Sequence, residues 1–312
     1  MSDSRSDRAS RTVLDPDRRD AMGPLGAAAL WGGMYVVSKW GFSAIPPATL
    51  AFLRVAIGAV TLFAIVRFTM GPRSFSRTDR RSFVALGFWV ALTLVTQFVG
   101  TDLTNASQGS LLTVLTPVFT LLLGIAILDE SLSGRKVGGM ALAAVGTMLV
   151  ATGQYDLASL GVGNALGLIA LLVASFGWAA YTVYGAPLVR KYSPLETATY
   201  STIAAVPMLA VAAGVELWAL GRSPLSLPVT PAVVGAVLYL GVASTALAWY
   251  LWYRGVRSLE AGVVAVFFFV QPLVGSLLGA FLLGESLGPL FVLGGAVMAA
   301  GVWLSSTAGE NP

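Results

Sequence analysis

Two long apolar stretches of this chain carry the same landmarks in the same order. Pro117 is matched by Pro272. Leu128, Glu130, Ser131 and Leu132 are matched by Leu283, Glu285, Ser286 and Leu287, and Gly139 and Gly146 by Gly294 and Gly301. The separation is constant: 272 − 117 = 285 − 130 = 301 − 146 = 155. Upstream, Trp31 is matched by Trp178 and Pro47 by Pro194, at 178 − 31 = 194 − 47 = 147. The second copy therefore holds 155 − 147 = 8 additional residues between the two blocks, which we place in the loop around Gly221 to Pro231. A duplication restricts the fold more than any other feature, because each copy has to be one unit that packs on the other.

The solvent for these units follows from how little charge the chain has. Of its 312 residues, 56% are hydrophobic and 11% charged, against about 25% charged in soluble domains. Such a chain cannot cover itself in water, and its surroundings must be a lipid bilayer. Ten apolar runs are each close to the ~20 residues that cross one: Met22–Trp40, Pro46–Val66, Phe83–Thr101, Ala106–Leu128, Lys136–Thr152, Val162–Leu188, Leu195–Trp218, Ala232–Tyr253, Ala261–Leu283 and Pro289–Ser305. Backbone polar groups in lipid have to pair within the segment, so the runs are read as helices. The short alternating segments of a barrel are not present. The expected fold class is an all-α membrane protein with ten transmembrane helices. Residues 1–20 alternate Arg with Asp and Ser and are expected to be a disordered cytoplasmic tail. Repeat one is placed at 21–152 and repeat two at 161–306. The first apolar run is too long for a signal peptide and is taken as retained.

The cations set the threading. With the amino terminus inside, Arg5, Arg8, Arg11, Arg18, Arg19, Arg67, Arg73, Arg77, Arg80, Arg81, Arg135, Lys136, Arg190, Lys191, Arg254 and Arg257 all fall on the inner side. Arg222 alone falls outside, and Lys39 and Arg54 lie within spans. This bias puts both termini in the cytoplasm. The net charge of +4 then faces anionic lipid rather than nucleic acid. Five spans per copy is an odd number, so the copies run in opposite senses. Inverted repeats are a recurring plan of secondary transporters, with the substrate held near the midplane where the halves meet.

There is no Cys and no His, which removes disulfides, thiol nucleophiles, imidazole bases and Cys/His zinc sites. No Walker sequence is present. No cofactor and no metal are expected.

Leu30-Trp31-Gly32-Gly33, Tyr35 and Lys39 in span one, Leu53-Arg54 in span two, the Pro117/Pro272 and Glu130/Glu285 pairs, and Gly241, Thr245, Ala246, Tyr250 and Trp252 in span eight resemble the drug/metabolite transporter superfamily. The likeness is to its ten-helix form with two EamA domains, over about Pro24 to Leu304. The resemblance implies a multi-pass carrier of the plasma membrane (the inner membrane of a bacterium). Members of the family export amino acids and related metabolites, or move nucleotide sugars or sugar phosphates; the substrate does not transfer with the family. Gln271 departs from the acidic or small residue that many relatives carry before the second proline.

Arg54 is the most informative single residue. It stands 54 − 46 = 8 residues into span two, about 12 Å at ~1.5 Å per residue. A guanidinium there costs at least ~2.5–3.5 kcal/mol unless it meets water or a partner. It is either a cavity-facing cation for an anion or a structural tie to carbonyls between helices. Lys39, near the outer end of span one, either faces the cavity or snorkels to the interface. Tyr35 and Trp178 lie closest to the midplane. Tyr181, Trp249 and Tyr250 lie nearer the cytoplasmic end, where aromatic residues also form interfacial belts. Gln97 and Gln271 are the deepest neutral polar groups, and each needs a partner in lipid, from substrate or from another helix. Asn105, Gln108, Thr113 and Thr116 border spans. The candidate substrate-binding set is Arg54, Lys39, Tyr35, Gln97, Trp178, Tyr181 and Gln271. Pro117, Pro207 and Pro272 each remove a bond inside a helix, giving a hinge or a fixed curve. Glu130 and Glu285 are expected to cap the next helix or to pair with a nearby base such as Arg135.

No Asp or Glu lies in the middle of a span, whereas proton-coupled carriers usually place such a group at depth. The function expected is a secondary transporter, a monomer, that exports small metabolites such as amino acids by alternating access without tight proton coupling. Two other classes compete. A membrane-embedded lipid-modifying enzyme needs an acid/base pair or metal cluster, for which Glu130 is the best start. A channel needs a ring of like charge or a carbonyl filter, and the sequence displays neither.

Overall fold

The computed structural model describes residues 16–71, 73–104, 115–154, 165–283 and 288–306. Asn105, Gln108, Thr113 and Glu285 lie outside the described residues. Within them the chain is helical and no strand occurs. The helices are α1 (Pro16–Gly41), α2 (Pro47–Thr69), α3 (Arg77–Leu103), α4 (Thr116–Leu128), α5 (Gly134–Gln154), α6 (Ala165–Lys191) and α7 (Pro194–Ala219). Then comes α8, which runs as Pro231–Leu238, a π-helical stretch at Tyr239–Leu247, and Ala248–Ser258. α9 runs as Ala261–Ala265, a 3-10 turn at Val266–Phe269, and Val270–Leu283, and α10 is Pro289–Ser306. Among the described residues, α2, α3, α6, α7 and α8 are long and apolar enough to cross a membrane, and α4, α9 and α10 contain shorter apolar stretches. α1 starts at Pro16, so residues 16–20 of the segment expected to be a tail are helical.

Helix starts are marked by local chemistry. Pro47, Pro194 and Pro231 stand in first turns, where the missing N–H is not needed. The side chains of Ser76, Ser193 and Thr230 accept from the amides of Asp79, Glu196 and Val233, each satisfying an otherwise orphaned N–H. Pro117 stands in the first turn of α4 as described. Pro272 follows the 3-10 turn of α9, so there the helix does change pitch.

Equivalent helices of the two copies meet face to face. α5 and α10 cross with Gly139 against Gly301 and Gly146 against Gly294. A Cβ on Gly139 would lie 2.7 Å from the carbonyl oxygen of Gly301, and one on Gly301 would lie 2.6 Å from that of Gly139. The same exchange links Gly146 and Gly294, at 2.6 and 2.7 Å. Gly139 is the counterpart of Gly294 and Gly146 of Gly301, each separated by 155. The contact is therefore self-complementary, as across a two-fold axis, and the two helices are antiparallel. Backbones approach this closely only where side chains are absent.

Carboxylates also reach across the halves to clip helix starts. Glu216 of α7 accepts from the amides of Ala48 and Thr49 at 2.8 and 2.7 Å and from the Thr49 hydroxyl at 2.8 Å, at the positive end of α2. Glu130, expected to cap the following helix or pair with Arg135, instead caps α9 in the other half. Its oxygens accept from the amides of Ala261 at 2.7 Å and Gly262 at 3.1 Å. The neighbouring ion pair is Lys136 with Glu260. At the same basic end, Asp79 of α3 accepts from Lys191 at 2.8 Å and from the Tyr192 hydroxyl at 2.7 Å. The Asp79 carboxylate holds the Tyr192 phenol above its usual range. Arg73 meets Glu196 at 3.1 Å, and Phe75 packs edge-on against Tyr192 and Tyr200.

Two outcomes test this frame. Gly139→Leu or Gly146→Leu forces the crossing backbones apart, and we expect at least about 1–3 kcal/mol of destabilisation in a detergent unfolding titration. Gly138→Ala, with open space around it, should be silent. The second concerns Glu130, whose carboxyl is raised by burial despite the two amides. A carboxyl raised in the folded state stabilises fully below the unfolded value of about 4.3 and loses that contribution as pH rises through the folded value. Melting curves taken between about pH 4.5 and about pH 8 should show the wild type losing ground to Glu130→Gln as pH rises. A pH-independent gap would contradict the assignment.

Candidate functional site

A cavity opens between the two copies, near the middle of the bundle. Its walls come from Trp31 and Met34 of α1, Arg54 of α2, Thr93, Leu94 and Gln97 of α3, and Thr116 of α4. The other copy supplies Ala174, Ser175 and Trp178 of α6 and Phe268 and Gln271 of α9. The free space they leave in this conformation is about 20 Å³, room for about one water molecule.

Arg54 is 1% exposed, and its donors are held by α8. Nε donates to Thr245 Oγ1 at 2.7 Å, and Nη2 donates to the Ser244 carbonyl at 2.9 Å and its hydroxyl at 3.3 Å. Nη1 points at Met34 Sδ at 2.6 Å, and the Phe98 ring lies 5.7 Å away. The π-helical stretch is what makes these acceptors available. The Ala248 amide bonds to the Ala243 and Thr245 carbonyls, passing over that of Ser244. Ser244 can thus accept from both Arg54 and Trp31 Nε1, the latter at 2.9 Å. Thr245 Oγ1 in turn donates to the Leu240 carbonyl at 2.8 Å. π-bulges are often found at functional sites. No carboxylate pairs with Arg54 among the described residues.

The remaining wall carries unused polarity. Thr93 Oγ1, Thr116 Oγ1, Trp178 Nε1 and Gln271 Nε2 are buried without a hydrogen-bond partner, and all belong to residues lining this cavity. Unpaired buried groups cost about 1–3 kcal/mol each, so their gathering in one space marks it as a place for a polar guest. Toward the basic end the cavity is floored by rings. Trp31 meets Trp178 edge-on at 5.0 Å, Trp252 at 5.2 Å and Phe268, stacked, at 5.5 Å. Trp252 meets Phe268 at 4.9 Å.

The duplication is visible in the bonds themselves. Gln97 Nε2 donates to the Tyr35 hydroxyl at 2.9 Å, and Trp252 Nε1 donates to Thr182 Oγ1 at 3.1 Å. These are counterparts, since 182 − 35 = 147 and 252 − 97 = 155. Likewise Arg54 with Met34 corresponds to Ser201 with Tyr181, both separated by 147, and the Tyr181 and Ser201 hydroxyls lie 3.2 Å apart. Thr116 and Gln271, both unpaired at the wall, correspond at 155. The charge is the exception: one copy has Arg54 where the other has Ser201.

The structure brings Arg54, Gln97, Trp178 and Gln271 together on the wall, with Tyr35 one hydrogen bond behind Gln97. It places the other two expected residues elsewhere. The Lys39 ammonium reaches the carbonyls of Thr101, Asp102 and Thr104, at 3.2, 3.3 and 3.5 Å. It satisfies the negative end of α3 rather than lining the cavity. Tyr181 is buried among Trp178, Trp249 and Tyr253, off the wall. Sequence reasoning missed Met34, Thr93, Ser175 and the supporting role of Ser244. The repeat spacing offered one signal: Thr116 is the counterpart of Gln271.

The EamA-like transporter family model matches residues 21–152 and 165–307. The chain belongs to that family. An uncharacterized transporter of Archaeoglobus fulgidus is 28% identical over 276 residues, covering 88% of this chain and 94% of that one. The uncharacterized transporter YyaM of Bacillus subtilis is 26% identical over 287 residues, 90% of this chain and 92% of that one. A probable biotin transporter of Pseudomonas aeruginosa is 29% identical over 218 residues, 69% of this chain and 73% of that one. A solved crystal structure superposes with a TM-score of 0.73 at 17% identity, covering 92% of this chain and 97% of that one, which is a likeness of fold. The protein is thus a multi-pass membrane transporter with a small-molecule substrate, and not an enzyme.

In this transporter Thr245 links the Arg54 charge to the π-helical backbone. Thr245→Val leaves the Arg54 Nε unpaired, and we expect a loss of about 1–3 kcal/mol in thermal melts in detergent. Thr245→Ser should recover most of it.

Proposed function

We propose that the protein is a secondary carrier of ten spans in two inverted repeats, in the plasma membrane of a bacterium with both termini cytoplasmic. It exports a small metabolite with a carboxylate or comparable acceptor group, in the class of amino acids and their relatives. The observation that carries this reading is the pairing of an uncompensated buried cation, Arg54, with unsatisfied N–H donors on Trp178 and Gln271 around one cavity between the halves. Donors outnumber acceptors there, and a guest carboxylate supplies what is missing. Arg54 thus acts as both tie and attractor: its bonds to Thr245 and Ser244 aim it, and its charge remains to be balanced. The relative named as a probable biotin transporter is consistent with a carboxylate-bearing cargo.

The self-complementary α5–α10 contact supports alternating access, because two like-built halves can exchange roles. In such a cycle, opening the basic end would part the aromatic floor and the Asp79–Lys191 contacts. No acidic residue lines the cavity among the described residues, which supports downhill movement or exchange without tight proton coupling. The protein is taken to work as a monomer.

The test is counterflow of labelled amino acids and related acids in proteoliposomes. Arg54→Ala should reduce exchange about tenfold to a hundredfold, the equivalent of losing one charged hydrogen bond, while the protein inserts and purifies normally. Arg54→Lys keeps the charge but not the fork, and should retain part of the activity. If Arg54→Ala exchanges at the wild-type rate, Arg54 is architectural only. Uptake driven by a proton gradient against the substrate gradient would overturn the uncoupled mechanism.

A further inference from the structure

A second recess lies on the outside of the bundle, away from the cavity. At the basic end it is a chamber of about 510 Å³ between the end of α2, the start of α7 and the end of α8, with Ser193, Arg254, Arg257 and Ser258 on its walls. It continues toward mid-bilayer as a mostly apolar chamber of about 560 Å³ walled by Leu62 and Ile65 of α2 and Val242, Ala246 and Leu247 of α8. Thr69, Leu195 and Tyr250 belong to both chambers, so they form one groove. Ile65, Val242 and Leu247 are exposed. Arg254 and Arg257 are also exposed, with no ion pair or side-chain hydrogen bond among the described residues. The acids closest along the chain are engaged elsewhere, Glu260 with Lys136 and Glu196 with Arg73.

We propose that this groove binds one anionic phospholipid, with its phosphate on Arg254 and Arg257 and an acyl chain in the slot between α2 and α8. The polarity has to be that way round. Two unpaired guanidiniums and the Ser258 hydroxyl at the basic end suit a phosphodiester, which an arginine fork grips bidentately. Beyond Tyr250 at the junction the slot offers alkyl groups and threonines, and in a bilayer an alkyl chain fills such a space. Its length agrees: Val242 precedes Arg254 by 254 − 242 = 12 residues, about 18 Å of helix, slightly more than half of a ~30 Å hydrocarbon core. Basic recesses between helices at the cytoplasmic face are known seats for anionic headgroups. The slot also touches the transport machinery from behind. The π-helical stretch presents Val242, Ala246 and Leu247 to the groove and Ser244 and Thr245 to Arg54. A seated chain braces the backbone that aims the cation.

The measurement is native mass spectrometry of the full chain in detergent, titrated with phosphatidylglycerol and with phosphatidylcholine. Phosphatidylglycerol should be retained roughly thirtyfold better, which corresponds to ~1 kcal/mol for each of two arginines. Arg254→Gln with Arg257→Gln should bring it down to the phosphatidylcholine level. Arg80→Gln with Arg81→Gln, equally exposed and basic but off the groove, should leave the preference intact. Leu247→Trp fills the slot and should weaken both lipids about tenfold with the arginines untouched. Equal retention of the two lipids, equal loss in the Arg80/Arg81 variant, or no effect of Leu247→Trp would overturn the site.

Discussion

A buried guanidinium dictates much of what surrounds it. At the depth of Arg54 the group has to be hydrogen-bonded on every side, or the bundle would not hold it. In an α-helix interior each carbonyl already accepts from the amide four places on. α8 resolves this by running as a π-helix from Tyr239 to Leu247, which releases the Ser244 carbonyl to Arg54 and Trp31 together. One backbone irregularity in the second copy thereby fastens the cation on the wall, which belongs to the first copy. Arg54 is at once a joint between the halves and the charge around which the cavity is organised.

The frame around that joint is close to symmetric, and the site is the place where symmetry fails. Gly139, Gly146, Gly294 and Gly301 make the same contact twice. Tyr35–Gln97 is echoed by Thr182–Trp252 and Met34–Arg54 by Tyr181–Ser201. The Arg-for-Ser difference gives one wall a charge and leaves the opposite wall with neutral donors and rings. Carboxylates that clip helix starts from the opposite half, Glu216 on α2 and Glu130 on α9, show that neither half is finished alone.

Much of the fold was legible because membrane burial leaves coarse marks. Lengths of apolar runs, scarcity of charge and the repeat spacing all act along one dimension, the chain itself. Part of the site was legible for the same reason: Arg54, Gln97 and Gln271 stand out as polar groups at depth. Azimuth was not. Helices that are apolar all round give no face to read, so Lys39 and Tyr181 were counted toward a cavity that neither reaches. Lys39 ends on the carbonyls of α3, and Tyr181 packs behind Trp178.

The sequence alone determined that this chain lives in lipid, is built twice over, and carries one cation too deep to be accidental. Tertiary structure decided what that cation touches. Arg54 and Ser244 are 190 residues apart, and so is any partnership between the two copies far outside the reach of helical periodicity, which relates only neighbours within about one turn. The π-helical stretch, the unpaired donors of Trp178 and Gln271 and the cross-half caps all arise from how the halves seat on each other, and that seating is set by packing rather than by local order along the chain.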